Sequence, residues 1–275
     1  MSDNWNEMYR GPVQETAPRP SPVTAGANLW AGSPSVLEAV KWVLASPDWV
    51  PNTLIAYVFA IIPIVGQMAL GGWSAEIAQR LVRGQQKPLP KLDFADFGHF
   101  MSRGIPGFLV RLVYGFALSF VVLPVVIGGA VGFVALWQSH QKGVAFLVLG
   151  AALLVFFVLA LFVNILIFAA EWRVELTEQF REGIKIGSVF RFAGRVLGPM
   201  LLGLVIVIFA SLVLIFIPLI GPVAIIGLIG PAMVHFRWQL YSHYINSGGD
   251  DPIAPKAAVA LPSEARAQPF YHPPR

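Results

Sequence analysis

Val196–Phe236 reads VLGPMLLGLVIVIFASLVLIFIPLIGPVAIIGLIGPAMVHF, 41 residues without one Asp, Glu, Lys or Arg. A bilayer core about 30 Å thick takes roughly 20 helical residues, so this stretch has the length of two crossings. Near its middle stands Pro218-Leu-Ile-Gly221-Pro222. Proline lacks the amide hydrogen that continues a helix, and its ring clashes with the preceding turn. The stretch is therefore expected to fold as a tight hairpin of two membrane helices.

Three more windows lack charge: Trp49–Ala75, Leu112–Gln141 and Gly143–Ala170. The second and third each suit one crossing. The first carries its own break, Pro63-Ile-Val-Gly66. Ile62–Gly72 (IPIVGQMALGG) set beside Ile217–Gly227 (IPLIGPVAIIG) shows the same Pro, Gly, Ala and Gly at a constant offset of 155. Such a short internal repeat is a feature of membrane folds built from two related halves. If the first window is a hairpin, the chain has about six membrane segments; if it is one kinked helix, five.

The composition agrees. The chain has 275 residues, 56% apolar and 12% charged, against about 25% charged in soluble domains. The fold class expected is all-α, a polytopic helical membrane protein. The absence of cysteine excludes disulfides, thiolate nucleophiles and cysteine-ligated metals. Net charge is +4, but the basic residues lie at the edges of apolar segments rather than in one stripe. Anionic lipid headgroups, not nucleic acid, are the partner this implies.

The distribution of Lys and Arg sets the orientation. Ser74–Arg111 carries six and Glu171–Arg195 five, whereas the turn Ser139–Gly143 has only Lys142. The two basic connections are expected to face the cytoplasm, with both termini on that side in the six-segment arrangement. Trp49, Trp73, Trp137, Trp172 and Trp238 lie at or near ends of apolar segments and are expected as anchors at headgroup level.

Between these segments lie amphipathic stretches suited to the membrane interface or to packing on the protein's own body. Val36, Leu37, Val40, Val43 and Leu44 share one helical face, opened by Ser35 and Glu38 at capping-box spacing. Phe94, Phe97, Phe100 and Met101 form a second stripe, and Glu171–Arg195 supplies a third. Residues 1–34 form a polar N-terminal tail without a signal-peptide core, and 247–275 a proline-rich C-terminal tail. Neither has the apolar surface to offset the entropy of ordering, so each is expected to be disordered or held by a partner. The helical domain between them is 35–246.

Ala39–Val43 with Asp48-Trp49, Ile62–Gln67, Gly71–Trp73, Ile77–Arg83, Pro88-Leu-Pro90, Asp96-Phe97 and Gly104 resemble one half of an uncharacterised bacterial and archaeal family, domain of unknown function 4013. The second half is similar in Phe190–Val196, Ile220-Gly-Pro222, Gly227 and His235–Tyr244. Lys91 and Leu92 depart from the family pattern, which has an acidic residue and a tryptophan there. The resemblance implies a helical fold in the prokaryotic cytoplasmic (inner) membrane; it brings no activity, cofactor or catalytic residue.

Few groups could carry chemistry. His235 and His243 are eight apart, about 12 Å along a helix, and no Glu-x-x-His spacing accompanies them, so no metal site is expected. Glu171, Glu175, Glu178 and Glu182 align on one helical face. With Arg181 and Lys185 three residues after two of them, a solvated face of ordinary ion pairs is the expected reading. Inside the expected hydrocarbon stand Gln67, Arg111 and Asn164: Arg111 close enough to the interface to snorkel, the two amides suited to interhelical hydrogen bonds. Gly128 and Gly132 have the spacing of close helix approach. These features point first to a non-enzymatic structural or accessory subunit of a membrane complex, with a protein partner and no cofactor. The second reading is a carrier or lipid-handling protein with a site at the breaks Pro63, Gly66, Pro218, Gly221 and Pro222, since broken helices free backbone groups to line a ligand site.

Overall fold

The computed structural model describes residues 29–85, 89–218, 220–250 and 252–267. The N-terminal tail through residue 28, and Pro269, Pro273 and Pro274 of the other tail, lie outside them. All regular structure among the described residues is helical. In order these are α1 (Val36–Leu44), α2 (Trp49–Ile61), α3 (Val65–Val82), a 3-10 turn (Phe94–Asp96), α4 (Phe97–Gln138), α5 (Lys142–Thr177), α6 (Phe180–Gly183), α7 (Ile186–Ile215), α8 (Ile220–Ala224), a π-helical turn (Ile225–Ile229), α9 (Gly230–Asn246) and α10 (Pro262–Ala267).

Among the described residues, four stretches are long and apolar enough to cross a membrane: Phe94–Gln138, Lys142–Thr177, Ile186–Ile215 and Ile220–Asn246. The 41-residue window folds as the expected hairpin, α7 against the run from α8 to α9. The first window is also a hairpin, α2 and α3 joined at Ile62–Ile64. Its first arm has 13 residues, about 20 Å at 1.5 Å per residue, short of a full crossing.

The internal repeat is a repeat of backbone geometry. At the first break the amide of Val65 donates to Pro63 O, Ile62 to Phe59 O and Gly66 to Ile62 O; at the second, Ile220 donates to Pro218 O, Ile217 to Leu214 O and Gly221 to Ile217 O. Each bond of one set has its counterpart 155 residues later. The glycines are required: a Cβ on Gly66 would lie 1.7 Å from Phe59 O, and one on Gly221 1.9 Å from Leu214 O. Ile64 bears the conformational cost of the first turn, with φ at 61° in a region that branched side chains rarely adopt.

Two amphipathic stretches do not form helices of their own. Phe97–Met101 is the first turn of α4, which runs unbroken through Pro106 and Pro124 to Gln138. Glu171–Arg195 is divided among the end of α5, α6 and the start of α7, with the chain turning at Glu178 in a left-handed conformation, φ 54°. Only α1 stands alone. Ser35 caps it as its spacing suggests, its hydroxyl accepting from the Glu38 amide at 3.4 Å. Leu37 and Leu44 of its stripe are exposed, and Ala39 is buried instead.

The buried core gathers α1, α2, α3, the first third of α4, the end of α5, the first half of α7 and α9. α3 and α4 cross almost backbone to backbone, because a Cβ on Gly104 would meet Met68 O at 1.7 Å and one on Gly72 would meet Phe100 O at 1.8 Å. Beyond Arg111, α4 runs with α5 as an antiparallel hairpin whose apolar side chains face outward. Its helices approach where a Cβ on Gly129 would lie 2.4 Å from Ala152 Cβ, and at Gly132 against Val148. Of the two glycines at close-approach spacing, Gly132 therefore packs within the chain while Gly128 faces open space, and Gly129 makes the tighter contact.

Residues 252–264 lie across the body. Leu261 is fully buried; the Ile253 amide donates to the Tyr241 hydroxyl at 2.6 Å, and the Lys256 amide to Leu176 O at 2.8 Å. Buried Asp96 accepts from the amide and hydroxyl of Ser263 at 2.9 and 2.5 Å.

Candidate functional site

Glu76, Gln79, Arg80 and Arg83 fall at i, i+3, i+4 and i+7 on α3, one polar face on an otherwise apolar helix. Arg103 and Arg111 stand eight apart on α4, and Glu171 and Glu175 four apart on α5. The packing of α3, α4, α5 and α9 turns most of them inward, leaving Arg83 half-buried and Arg111 partly exposed. The solvated glutamate face expected from sequence is thereby corrected: Glu171 and Glu175 are buried, and Glu178 contributes its carboxylate to the same interior. Spacing along one helix could not reveal this, because their partners come from other helices. Of the two pairs anticipated, Lys185 does reach Glu182, whereas Glu178 is bonded to Arg103, Gln79 and Lys256.

The ions form two groups. In the first, Glu171 bridges two guanidiniums: its Oε1 accepts from Arg111 Nε, and its Oε2 from Arg237 at 3.0 Å. Arg237 also reaches Glu175 at 2.8 Å. In the second, Glu76 binds Arg80 at 2.5 Å and also Arg103; Arg103 meets Glu178 at 2.6 Å, and the tail adds Lys256 on Glu178 at 2.7 Å and Glu264 on Arg80 at 2.8 Å. Gln79 joins the groups, donating to Glu175 O at 2.8 Å and to Glu178 at 3.0 Å while accepting from Arg83 and Arg103. Burial pushes the Glu178 carboxyl up, but its bonds from Lys256 and Gln79 and the charge of Arg103 outweigh that and hold it below its ordinary value. The same opposition lowers Glu182, beside Lys185 and Arg173.

Against the first group lies a cavity of about 300 Å³. Arg111, Glu171, Arg237, Gln67 and Ser74 supply its polar wall; Leu70, Phe168, Ile225, Ile226 and Met233 supply the apolar one. A crevice of about 20 Å³, one water's worth of room, continues between α3, α4 and α5 past Arg103 and Glu175.

The helix breaks relate to this cavity indirectly. Pro63 and Pro218 are exposed turns and do not line it. Gly66 and Gly221 are buried where their own hairpins cross, and Pro222 is half-buried. The breaks act on the cavity through the residues just C-terminal to them: Gln67 stands directly after the first, and Ile225 and Ile226 belong to the π-helical turn after the second. There Gly227 lies against Thr53 of α2, where a Cβ would come within 2.4 Å of the Thr53 backbone.

Arg111 lines the cavity as an ion-pair partner of Glu171 rather than snorkelling alone. Exposed Asn164 does not bridge helices; its amide donates back to Ala160 O at 2.8 Å within α5. Among the tryptophans, Trp137 is exposed at the end of the α4–α5 hairpin, with the Lys142 ammonium 5.2 Å from its ring. Trp49 and Trp238 are half-buried. Trp73 and Trp172 are buried in the core, Trp73 donating to Pro90 O at 3.2 Å; rings enclosed by protein cannot reach headgroups. His235 is buried and stacks on Trp42 at 4.6 Å, while His243 is exposed. No three His, Cys, Asp or Glu side chains among the described residues are placed to hold a metal ion.

The family model described as Protein of unknown function (DUF4013) matches residues 55–228, which include both helix breaks and the apolar hairpin between them. No curated protein and no solved structure matches the chain. With the family model covering more than half of its length, the chain belongs to the DUF4013 family.

Proposed function

We propose that this DUF4013 member is a non-catalytic, multi-pass protein of the prokaryotic cytoplasmic membrane that binds and handles a lipid at the cavity beside Arg111. One observation carries the reading: a cavity of about 300 Å³ has two guanidiniums, the carboxylate they share, an amide and a hydroxyl on one wall and aliphatic and aromatic side chains on the other. A polar end and an apolar end side by side are what an amphipathic molecule requires. Small-molecule pockets run from about 300 to 1,000 Å³, so this one takes a headgroup, with the chains outside. In this reading α2 and α3 are the shorter pair among six membrane segments, the basic connections and both termini face the cytoplasm, and anionic lipids surround those connections.

The accessory-subunit reading draws on tails free to hold a partner. Residues 252–264 instead dock on the chain's own α3 at Arg80, on Asp96 just before α4 and on Glu178 just after α5, which favours the lipid reading. Purification of the full chain in mild detergent, followed by lipid extraction and mass spectrometry, tests the choice. Lipid retained in stoichiometric amount is expected. A stoichiometric second protein without retained lipid would overturn the proposal in favour of the accessory subunit.

A further inference from the structure

The geometry points to a net-anionic phospholipid as the ligand, its phosphate held by Arg111 and its acyl chains leaving along the apolar wall of the same cavity; this rests on the lipid-handling reading and names the ligand class. Arg111 is the charged group of its cluster that a ligand can meet. Its side chain is 45% exposed, whereas those of Glu171 and Arg237 are 9% and 6% exposed. Arg111 uses Nε on Glu171, and its two terminal nitrogens have no protein acceptor among the described residues. They present the planar fork that matches a phosphate.

A second observation concerns Arg237. It is buried and lines the same cavity, yet its Nε–H has no hydrogen-bond partner among the described residues. A buried donor left unmet is costly, and an anion or an ordered water in the cavity would satisfy it. The carboxylates, by contrast, are withdrawn. Both oxygens of Glu171 are engaged by arginine, and Glu175, whose Oε2 is also without a partner among the described residues, lies on the crevice, which has room for a water and not for a headgroup cation. No acidic group among the described residues of the cavity wall is therefore left to receive a choline or ammonium. The site favours a headgroup with net negative charge over a zwitterionic one, with Gln67 and Ser74 left to meet its hydroxyls.

The route for the chains begins in the cavity itself, where Leu70, Phe168, Ile225, Ile226 and Met233 face the polar wall. The exposed Leu112, Val113, Phe116 and Phe120 lie on the side of α4 turned away from Arg111.

The test uses the full-length chain in mild detergent, washed free of lipid and titrated separately with phosphatidylglycerol, phosphatidylcholine and inorganic phosphate, with bound species read by native mass spectrometry. Phosphatidylglycerol is expected to bind about tenfold or more tightly than phosphatidylcholine: both offer a phosphate to Arg111, but choline brings a cation beside two guanidiniums with no free carboxylate on the cavity wall to receive it. Arg111→Gln removes that preference, and Arg111→Lys keeps part of it, retaining charge without the fork. The wild-type comparison stands even if Arg111→Gln does not fold. Equal binding of the two lipids would overturn the anionic assignment while leaving lipid handling intact; binding of neither overturns both. Inorganic phosphate bound as tightly as phosphatidylglycerol, and lost in Arg111→Lys, would make the ligand a free phosphate and overturn the lipid.

Discussion

The α4–α5 hairpin beyond Arg111 and the bundle around Glu171 are assembled on opposite rules. In the hairpin, large apolar side chains point away from the protein, Phe120 at 66% and Leu147 at 73% exposed, and the contact between helices is made at small residues such as Gly129 and Ala145. In the bundle, carboxylates and guanidiniums point inward and meet one another. Hydrocarbon explains both. Apolar surface loses nothing by facing lipid, so helices there associate by close packing. Charges in the same setting must find partners within the protein. The bundle meets that demand with networks that also reach the tail, and the hairpin meets it by carrying no charge between Leu112 and Gln141.

The contrast breaks first at Glu171. Glu171→Ala leaves Arg111 and Arg237 without their shared carboxylate, and loss of one partner from a buried pair costs about 3–5 kcal/mol. A thermal melt of the purified variant in detergent should show a larger drop than any substitution in the hairpin or the tail. A smaller effect is expected in the hairpin and only in lipid. Leu153→Lys places a charge on an outward face near the middle of α5, costing about 2.5–3.5 kcal/mol at the centre of a span. Membrane fractionation should show reduced insertion, whereas Leu153→Phe inserts normally. Equal insertion of the two would mean that this face does not meet hydrocarbon.

Helix approach gives a third, more local test. Gly129→Leu forces side-chain bulk against Ala152, and overpacking of this kind costs about 1–3 kcal/mol. The same change at Gly128, which faces open space, should leave the melt unchanged. The smallest effects belong to the tail. Lys256 is half-exposed, and Lys256→Ala should lower stability by at most about 1 kcal/mol, the range of exposed pairs.

Acid sharpens the same contact. Because the Glu178 carboxyl is held below its usual value of 4.5, its contribution is present above that pH and is lost as pH falls through the lowered value. Protection of the 252–264 amides against hydrogen exchange, taken relative to the intrinsic rate at each pH, should therefore be present at pH 7 and lost as pH falls through the lowered Glu178 value, with protection of the hairpin amides unchanged.

Legibility tracks the range of each interaction. The hairpin at Pro218–Pro222 and its echo at Pro63–Gly66 are readable because proline and glycine act on their own backbone, within four residues. The cap of α1 at Ser35 is equally local. The cavity is readable only in fragments: Gln67 and Arg111 stand out as polar groups among apolar neighbours, while Arg237, at the edge of the longest charge-free window, gives no sign of facing inward. The polar face Glu76, Gln79, Arg80 and Arg83 has helical spacing and is the available signal for the second network. Trp73 and Trp172 mislead because a tryptophan at the end of an apolar run looks the same whether it faces headgroups or its own core.

Sequence alone therefore determined an all-helical membrane chain, its breaks and their repetition, since hydropathy, charge-free length and proline chemistry are properties of contiguous residues. Tertiary structure decided that the glutamate face is buried, that residues 252–264 pack on the body of the same chain, and that Arg111 opens onto a cavity with Arg237 behind it. Each of those facts joins residues tens to hundreds of positions apart, as Arg80 joins Glu264. Helix packing fixes such pairs, and no periodicity along one helix records them.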